Sequence, residues 1–129
     1  MCDRKTALMM LMLAREDLTI LEEMMKSARI RDRGFGFHAQ QAVEKALKAW
    51  LAFVGVDYPK THDLEELFAL LIERGQSVPE AFQRLEYLTD YAVHLRYSVS
   101  EELEDKIDRV ALIRDVAAVV EHVERLIGQ

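Results

Sequence analysis

The chain is 129 residues long with a formal charge of -6; half of it is hydrophobic and 31% is charged, with only five Gly and two Pro. This is one domain's worth of sequence, able to bury roughly two-thirds of its unfolded surface with no disulfide or metal staple, and its composition excludes both a disordered chain and a collagen-like repeat. Residues 1–60 hold ten Lys/Arg against eight Asp/Glu and residues 61–129 seven against fifteen, which excludes a surface basic throughout but leaves room for a local basic patch.

Cys2 is the single cysteine, so there is no internal disulfide and no cysteine-based metal site, and a reducing, cytoplasmic setting fits. Arg4 and Lys5 precede the apolar octet Ala7 to Ala14 in the manner of a signal peptide. The octet is short, however, no small-x-small cleavage site follows, and the helical spacing continues past Arg15, Glu16 and Asp17, so it reads as mature helix. No run approaches the roughly 20 apolar residues of a membrane span.

Taken in order, the periodicity predicts five helices and no strand. The first runs from about Thr6, its N-cap, to Arg29, with Ala14, Leu18, Leu21, Met25 and Ala28 as the core stripe. Met9, Met10, Met12 and Met24 extend its apolar surface beyond that stripe, as flexible core filling or as a subunit contact. Ile30 to Gly36 reads as a connection, made locally basic by Arg29, Arg31 and Arg33: a solvated turn or a contact for phosphate.

The second helix, Phe35 to Val54, is the most regular. Its apolar face is Ala39, Ala42, Val43, Ala46, Leu47, Trp50 and Phe53, and beside it lies a polar line of His38, Gln41, Lys45 and Lys48. Gly55 suits a C-terminal cap, and Pro59 makes Val56 to His62 a turn. Asp63 is the expected N-cap of a third helix, with Glu66 completing a capping box. That helix, Leu64 to about Arg74, buries Leu64, Leu67, Phe68 and Leu71 and ends at Gly75. A fourth, Val78 to about His94 with Ser77 as cap, turns Phe82, Leu85, Leu88 and Ala92 inward. Leu95 to Ser100 is a linker. The fifth, about Glu101 to Ile127, carries Leu103, Ile107, Val110, Ile113 or Arg114, Ala117, Val120, Val123 and Ile127 on one face. The expected fold is all-α: an up-and-down antiparallel helical bundle of four to five helices forming a single domain over residues 1–129.

His38, His62, His94 and His122 form neither an H-E-x-x-H nor a Glu-x-x-His arrangement, so no metal or other cofactor is expected. His122 is expected to face solvent. No G-x-S-x-G elbow supports a nucleophile. The polar line of the second helix has two readings. It is a solvated edge with Glu44 and Lys48 paired at i, i+4, or a surface where the Gln41 amide, the Lys45 cation and His38 meet a nucleotide or RNA backbone. Arg96, flanked by Tyr91 and Tyr97, either clamps a planar anionic ligand or neutralises helix-end carbonyls. His62, directly before the third helix, satisfies loop-end backbone groups or joins the same ligand set.

The ordered combination Q-Q-A-x-E-K-A-L-K-A at Gln40 to Ala49, K-T-H-D-L at Lys60 to Leu64 and Y-A-V-x-x-R-Y at Tyr91 to Tyr97 closely resembles the HEPN domain family, over nearly the whole chain. The resemblance implies a helical bundle, commonly dimeric. In small prokaryotic members it also implies a frequent pairing with a minimal nucleotidyltransferase as a toxin-antitoxin-like module. Many HEPN proteins are metal-independent ribonucleases that use an R-x4-6-H motif at a composite dimer site. Here Arg96 is followed by ten residues without a His, and His94 stands on its wrong side. Arg31 and Arg33 precede His38 at suitable spacing, but across the Gly-containing connection. The expectation is therefore a non-catalytic nucleotide-binding and assembly module, a homodimer whose ligand residues are His38, Gln41, Lys45, His62, Tyr91, Arg96 and Tyr97. The alternative is a homodimeric, metal-independent RNase toxin using His38 with Arg31 or Arg33.

Overall fold

Asp3 starts the first helix, α1, which spans Arg4–Met24 in a computed structural model that describes residues 2–93 and 107–128. The Asp3 carboxylate accepts the Thr6 backbone N–H at 3.0 Å, which satisfies one of the helix's orphan donors and holds the carboxyl below its ordinary pKa. Thr6 is thus a first-turn donor and not the cap. Ala7, Leu11, Ala14, Leu18 and Leu21 face the core.

α2 spans Asp32–Phe53 and begins three residues before the sequence-based boundary, so Gly34 and Gly36 lie within the helix. Its start is fixed from a distance. The Asp32 carboxylate accepts the Arg109 guanidinium at 2.9 Å and the Ile107 N–H at 3.0 Å, an anchor worth more than the roughly 1 kcal/mol that a helical glycine costs. At its far end Gly55 adopts φ +80, and Val56 N–H donates to the Leu51 carbonyl at 2.9 Å, closing the helix as expected.

α3, Leu64–Glu73, is capped by Asp63, whose carboxylate accepts the Glu65 N–H at 3.0 Å. Gly75 at φ +80 ends it. The fourth predicted helix is broken: α4 is Glu80–Gln83 with Pro79 at its cap in place of Ser77, a 3-10 helix covers Arg84–Leu88, and α5 is Thr89–Val93. The reason lies in the spacing. Phe82, Leu85 and Leu88 recur every third residue, an interval that brings side chains directly into line where the chain tightens to about three residues per turn. All three and Ala92 are buried as expected.

α6 spans Arg109–Gly128, with the Asp108 carboxylate accepting the Ala111 N–H at 3.1 Å. The predicted linker and the predicted start of this helix, Leu103 included, lie outside the described residues, as do His94, Arg96 and Tyr97. The inner face needs correction: Val110 is 68% exposed, and the buried set is Leu112, Val116, Val119, Val120, Val123 and Ile127. Ile107 precedes the helix's first turn, so a face continued from it falls to one side of the buried one.

Among the described residues the protein is all-helical, and the helices form a bundle around α2. α1 is antiparallel to α2, since Asp3 N–H donates to the Ala52 carbonyl at 2.9 Å. α6 runs alongside α2 in the same direction: Arg109 meets Asp32 at one end and His122 meets Trp50 towards the other. Short connections favour antiparallel neighbours, as α1 and α2 are, whereas residues 54–63 return along α2. The His62 carbonyl accepts the Gln40 amide at 2.8 Å, so α3 starts beside the middle of α2 and ends where Gln76 accepts the Trp50 indole N–H at 2.9 Å. No helix among the described residues is long and apolar enough to cross a membrane.

His122 is only partly open to solvent. Its ring lies 5.0 Å from that of Trp50 and 5.3 Å from that of Phe82, and burial, with Arg125 adding repulsion, lowers its pKa from 6.5. The folded state therefore disfavours the imidazolium. Its contribution to stability is complete above pH 6.5 and is lost as pH falls from 6.5 towards the lowered folded value, because the unfolded chain takes up the proton first. The urea midpoint is expected to drop between pH 7.5 and 5.5 by more in the wild type than in His122→Phe, which keeps a ring in place and does not titrate. Equal drops would remove His122 as the cause.

Candidate functional site

The polar line of α2 is divided between two buried carboxylates. Asp17, on the core stripe of α1, accepts the Lys45 ammonium on Oδ2 at 2.6 Å and pairs through Oδ1 with His38 Nδ1 at 3.1 Å. An ionised carboxylate can only accept, so the His38 ring donates from Nδ1 and turns Nε2 to the other side. Glu44 is the second centre. Its Oε2 accepts Lys48 at 3.0 Å, while Oε1 meets His62 Nδ1 at 2.8 Å and the Gln40 amide at 3.0 Å. Gln41 joins through Gln40, donating to its side-chain oxygen at 2.7 Å.

Each carboxylate thus holds one lysine and one imidazole, and each centre ties α2 to a different neighbour: Asp17 to α1, Glu44 to the 54–63 return. The expected Glu44–Lys48 pair is present, but it is 4% and 9% exposed and so is no solvated edge. Lys48, its ammonium 5.5 Å over the Tyr58 ring, is taken up by the fold. His38, Gln41 and Lys45 stay partly exposed, and His62 presents a side chain 53% exposed.

Tyr91 is 3% exposed, and burial, with Tyr87, Asp32 and Asp90 adding, pushes its phenol up to about 12. Its ring packs on Gly36 of α2, so it offers no open face for stacking, and the ligand role expected of it is corrected to packing. The reason is the extension of α2 back through Gly36, which places a bare backbone under the ring.

Sequence reasoning missed Asp17 and Gln40, and took Glu44 for a surface partner. A signal was present for the first: Asp17 falls three residues after Ala14 and four before Leu21, on the apolar stripe itself, where a carboxylate must find partners. The RNase alternative needs Arg31 or Arg33 to converge with His38. On the continuous α2 helix, Arg33 and His38 lie five residues and about 140° apart around the axis, and Arg31, the N-cap, is about two turns away. Among the described residues no group of three or more His, Cys, Asp or Glu could hold a metal ion.

Fold and site define a helical bundle whose central helix carries two buried ion-pair centres. The chain belongs to the HEPN domain family, whose model matches residues 9–126. HEPN domains are in general nucleotide-binding or RNase-like modules that often dimerise and bind RNA. No curated protein and no solved structure matches the chain.

Proposed function

We propose that the domain is a non-catalytic nucleotide-binding and assembly module, a cytoplasmic homodimer that partners a minimal nucleotidyltransferase in a toxin-antitoxin-like pair. Its ligand surface is His38, Gln41, Lys45 and His62, with Arg96 and Tyr97 supplying phosphate contact and stacking. The carrying observation is that Asp17 holds both Lys45 and His38 in fixed positions while leaving each partly exposed, so a phosphate meets an oriented Lys45 ammonium, and a His38 imidazole that donates from Nε2 once it is doubly protonated, at small entropic cost. Because the Asp17 carboxylate already offsets the Lys45 charge, affinity is modest, with a micromolar Kd, a binding free energy of about -8 kcal/mol.

Calorimetric titration with a panel of nucleotides is expected to show such binding, weakened about tenfold in Lys45→Ala, a loss of about 1.4 kcal/mol. No binding by the wild type, together with unchanged capture of a neighbouring-frame nucleotidyltransferase by Lys45→Ala and Arg96→Ala, would sink the reading.

One observation favours the second reading, a metal-independent RNase acting as a homodimer: a carboxylate on Nδ1 of an imidazole is the arrangement that orients a general acid or base at Nε2. RNA incubated with the protein and EDTA separates the two, remaining intact under the preferred reading.

A further inference from the structure

α1 is apolar on two opposite sides. The core stripe occupies one. On the other, about 180° around the helix at about 100° per residue, Leu8, Met9, Met12 and Ile20 are 45%, 50%, 55% and 38% exposed. A helix apolar on both faces is one that packs on both, and contiguous exposed apolar side chains mark a contact surface. The same outer stripe carries charge of opposite sign at its two ends: Lys5 in the first turn and Glu23 in the last, both exposed. Asp3 and Glu16 do not cancel this polarity, since Asp3 is turned to the helix cap and Glu16 lies near the middle.

We infer that this face is the seam of the homodimer, with α1 packed antiparallel against α1 of a second copy. A stripe basic at one end and acidic at the other is self-complementary only when reversed, and a two-fold axis near Ala14 does so. It sets Lys5 against Glu23 of the second copy, Met9 against Ile20 of the second copy, and Met12 against the methylene stem of Glu16 of the second copy. The thioethers suit such a seam because they fill irregular gaps between like surfaces. Arg15, at the margin, is held by Glu124 of α6 in its own chain, which leaves Glu16 as the charge nearest the axis. The inference rests on the proposed homodimer but not on nucleotide binding.

Sedimentation equilibrium of the full chain is expected to show a dimer. Met12→Glu, at an exposed position, should give a folded monomer whose thermal midpoint no longer rises with protein concentration. Lys5→Glu alone should raise the dimer dissociation constant about tenfold, since two symmetry-related pairs turn repulsive, each worth up to about 1 kcal/mol, and Lys5→Glu with Glu23→Lys should restore it. In a Cys2→Ser background, Met9→Cys with Ile20→Cys should form a disulfide-linked dimer on oxidation; within one helix the two positions are about 16 Å apart, too far to bridge. A monomeric wild type overturns the homodimer and the seam together. A dimer that survives Met12→Glu and shows neither the charge-swap rescue nor the cross-link overturns the seam and leaves the homodimer standing.

Discussion

Arg109→Ala is expected to cost about 3–5 kcal/mol of stability, the largest loss from any single polar substitution in the fold, because it strands a buried carboxylate. The guanidinium donates to Asp32 Oδ1 at 2.9 Å, to the Met24 carbonyl at 3.2 Å, to the Ser27 carbonyl at 3.1 Å and, on its remaining nitrogen, to the Ile30 carbonyl. These acceptors belong to the end of α1, the connection that follows it and the start of α2. One side chain from α6 therefore closes the corner where three helices meet, and it lies 5.0 Å over the Phe35 ring as it does so. Its five donors match this geometry, whereas an ammonium has three on a single centre, so Arg109→Lys is expected to recover less than half of the loss. Asp32→Ala with Arg109→Ala should cost less than the sum of the two single changes, yet stay well below wild type, since the three carbonyls remain without their donor. Urea unfolding of the wild type and these four variants measures all of this. A loss below about 1 kcal/mol in Arg109→Ala would mean that water replaces the guanidinium at little cost.

This corner also marks where the sequence stops being readable. The helices themselves were legible from local signals: the apolar face of α2 from Ala39 to Trp50, the Asp63 cap, the Gly55 and Gly75 terminators, and the inward set Phe82, Leu85, Leu88 and Ala92 all lie where spacing put them. What failed depended on partners far along the chain. Gly34 and Gly36 read as a turn because nothing within a few residues shows that Arg109, 77 residues away, anchors Asp32 and lets the helix begin there. The polar line on α2 was likewise visible as a line, but its division was not. Whether Lys45 and Lys48 serve a ligand or a carboxylate depends on Asp17, from another helix, and on Glu44, whose burial is set by the returning 54–63 segment. The candidate site was therefore legible in its residue types and only partly in its geometry. His38, Gln41, Lys45 and His62 keep exposed surface, whereas Lys48 and Tyr91 were absorbed by the fold.

Gly36→Ala and Gly34→Ala are expected to change stability in opposite directions, although both add one methyl group to the first two turns of α2. At Gly34 the nearest atoms to the new carbon would be Met24 Cε at 3.8 Å and Ile30 Cγ2 at 3.9 Å, ordinary contacts. There the helical preference of Ala acts alone, and the domain should gain about 0.5–1 kcal/mol. At Gly36 the same carbon would stand 2.3 Å from Tyr91 Cδ1, 2.5 Å from Cε1 and 2.6 Å from Cγ. These are the near atoms of a buried ring, not the far end of a flexible chain, so ring and helix must separate. Overpacking of this kind costs about 1–3 kcal/mol or somewhat more, and it outweighs the propensity gain to leave a net loss of about 2 kcal/mol. Removing the ring should reverse the sign: in a Tyr91→Ala background, Gly36→Ala should become neutral or stabilising, a coupling that urea midpoints of the four proteins will measure. The same set tests the correction to Tyr91. If its ring only packs, nucleotide affinity per folded molecule stays unchanged in Gly36→Ala while stability falls; a parallel loss of affinity would return Tyr91 to the ligand surface.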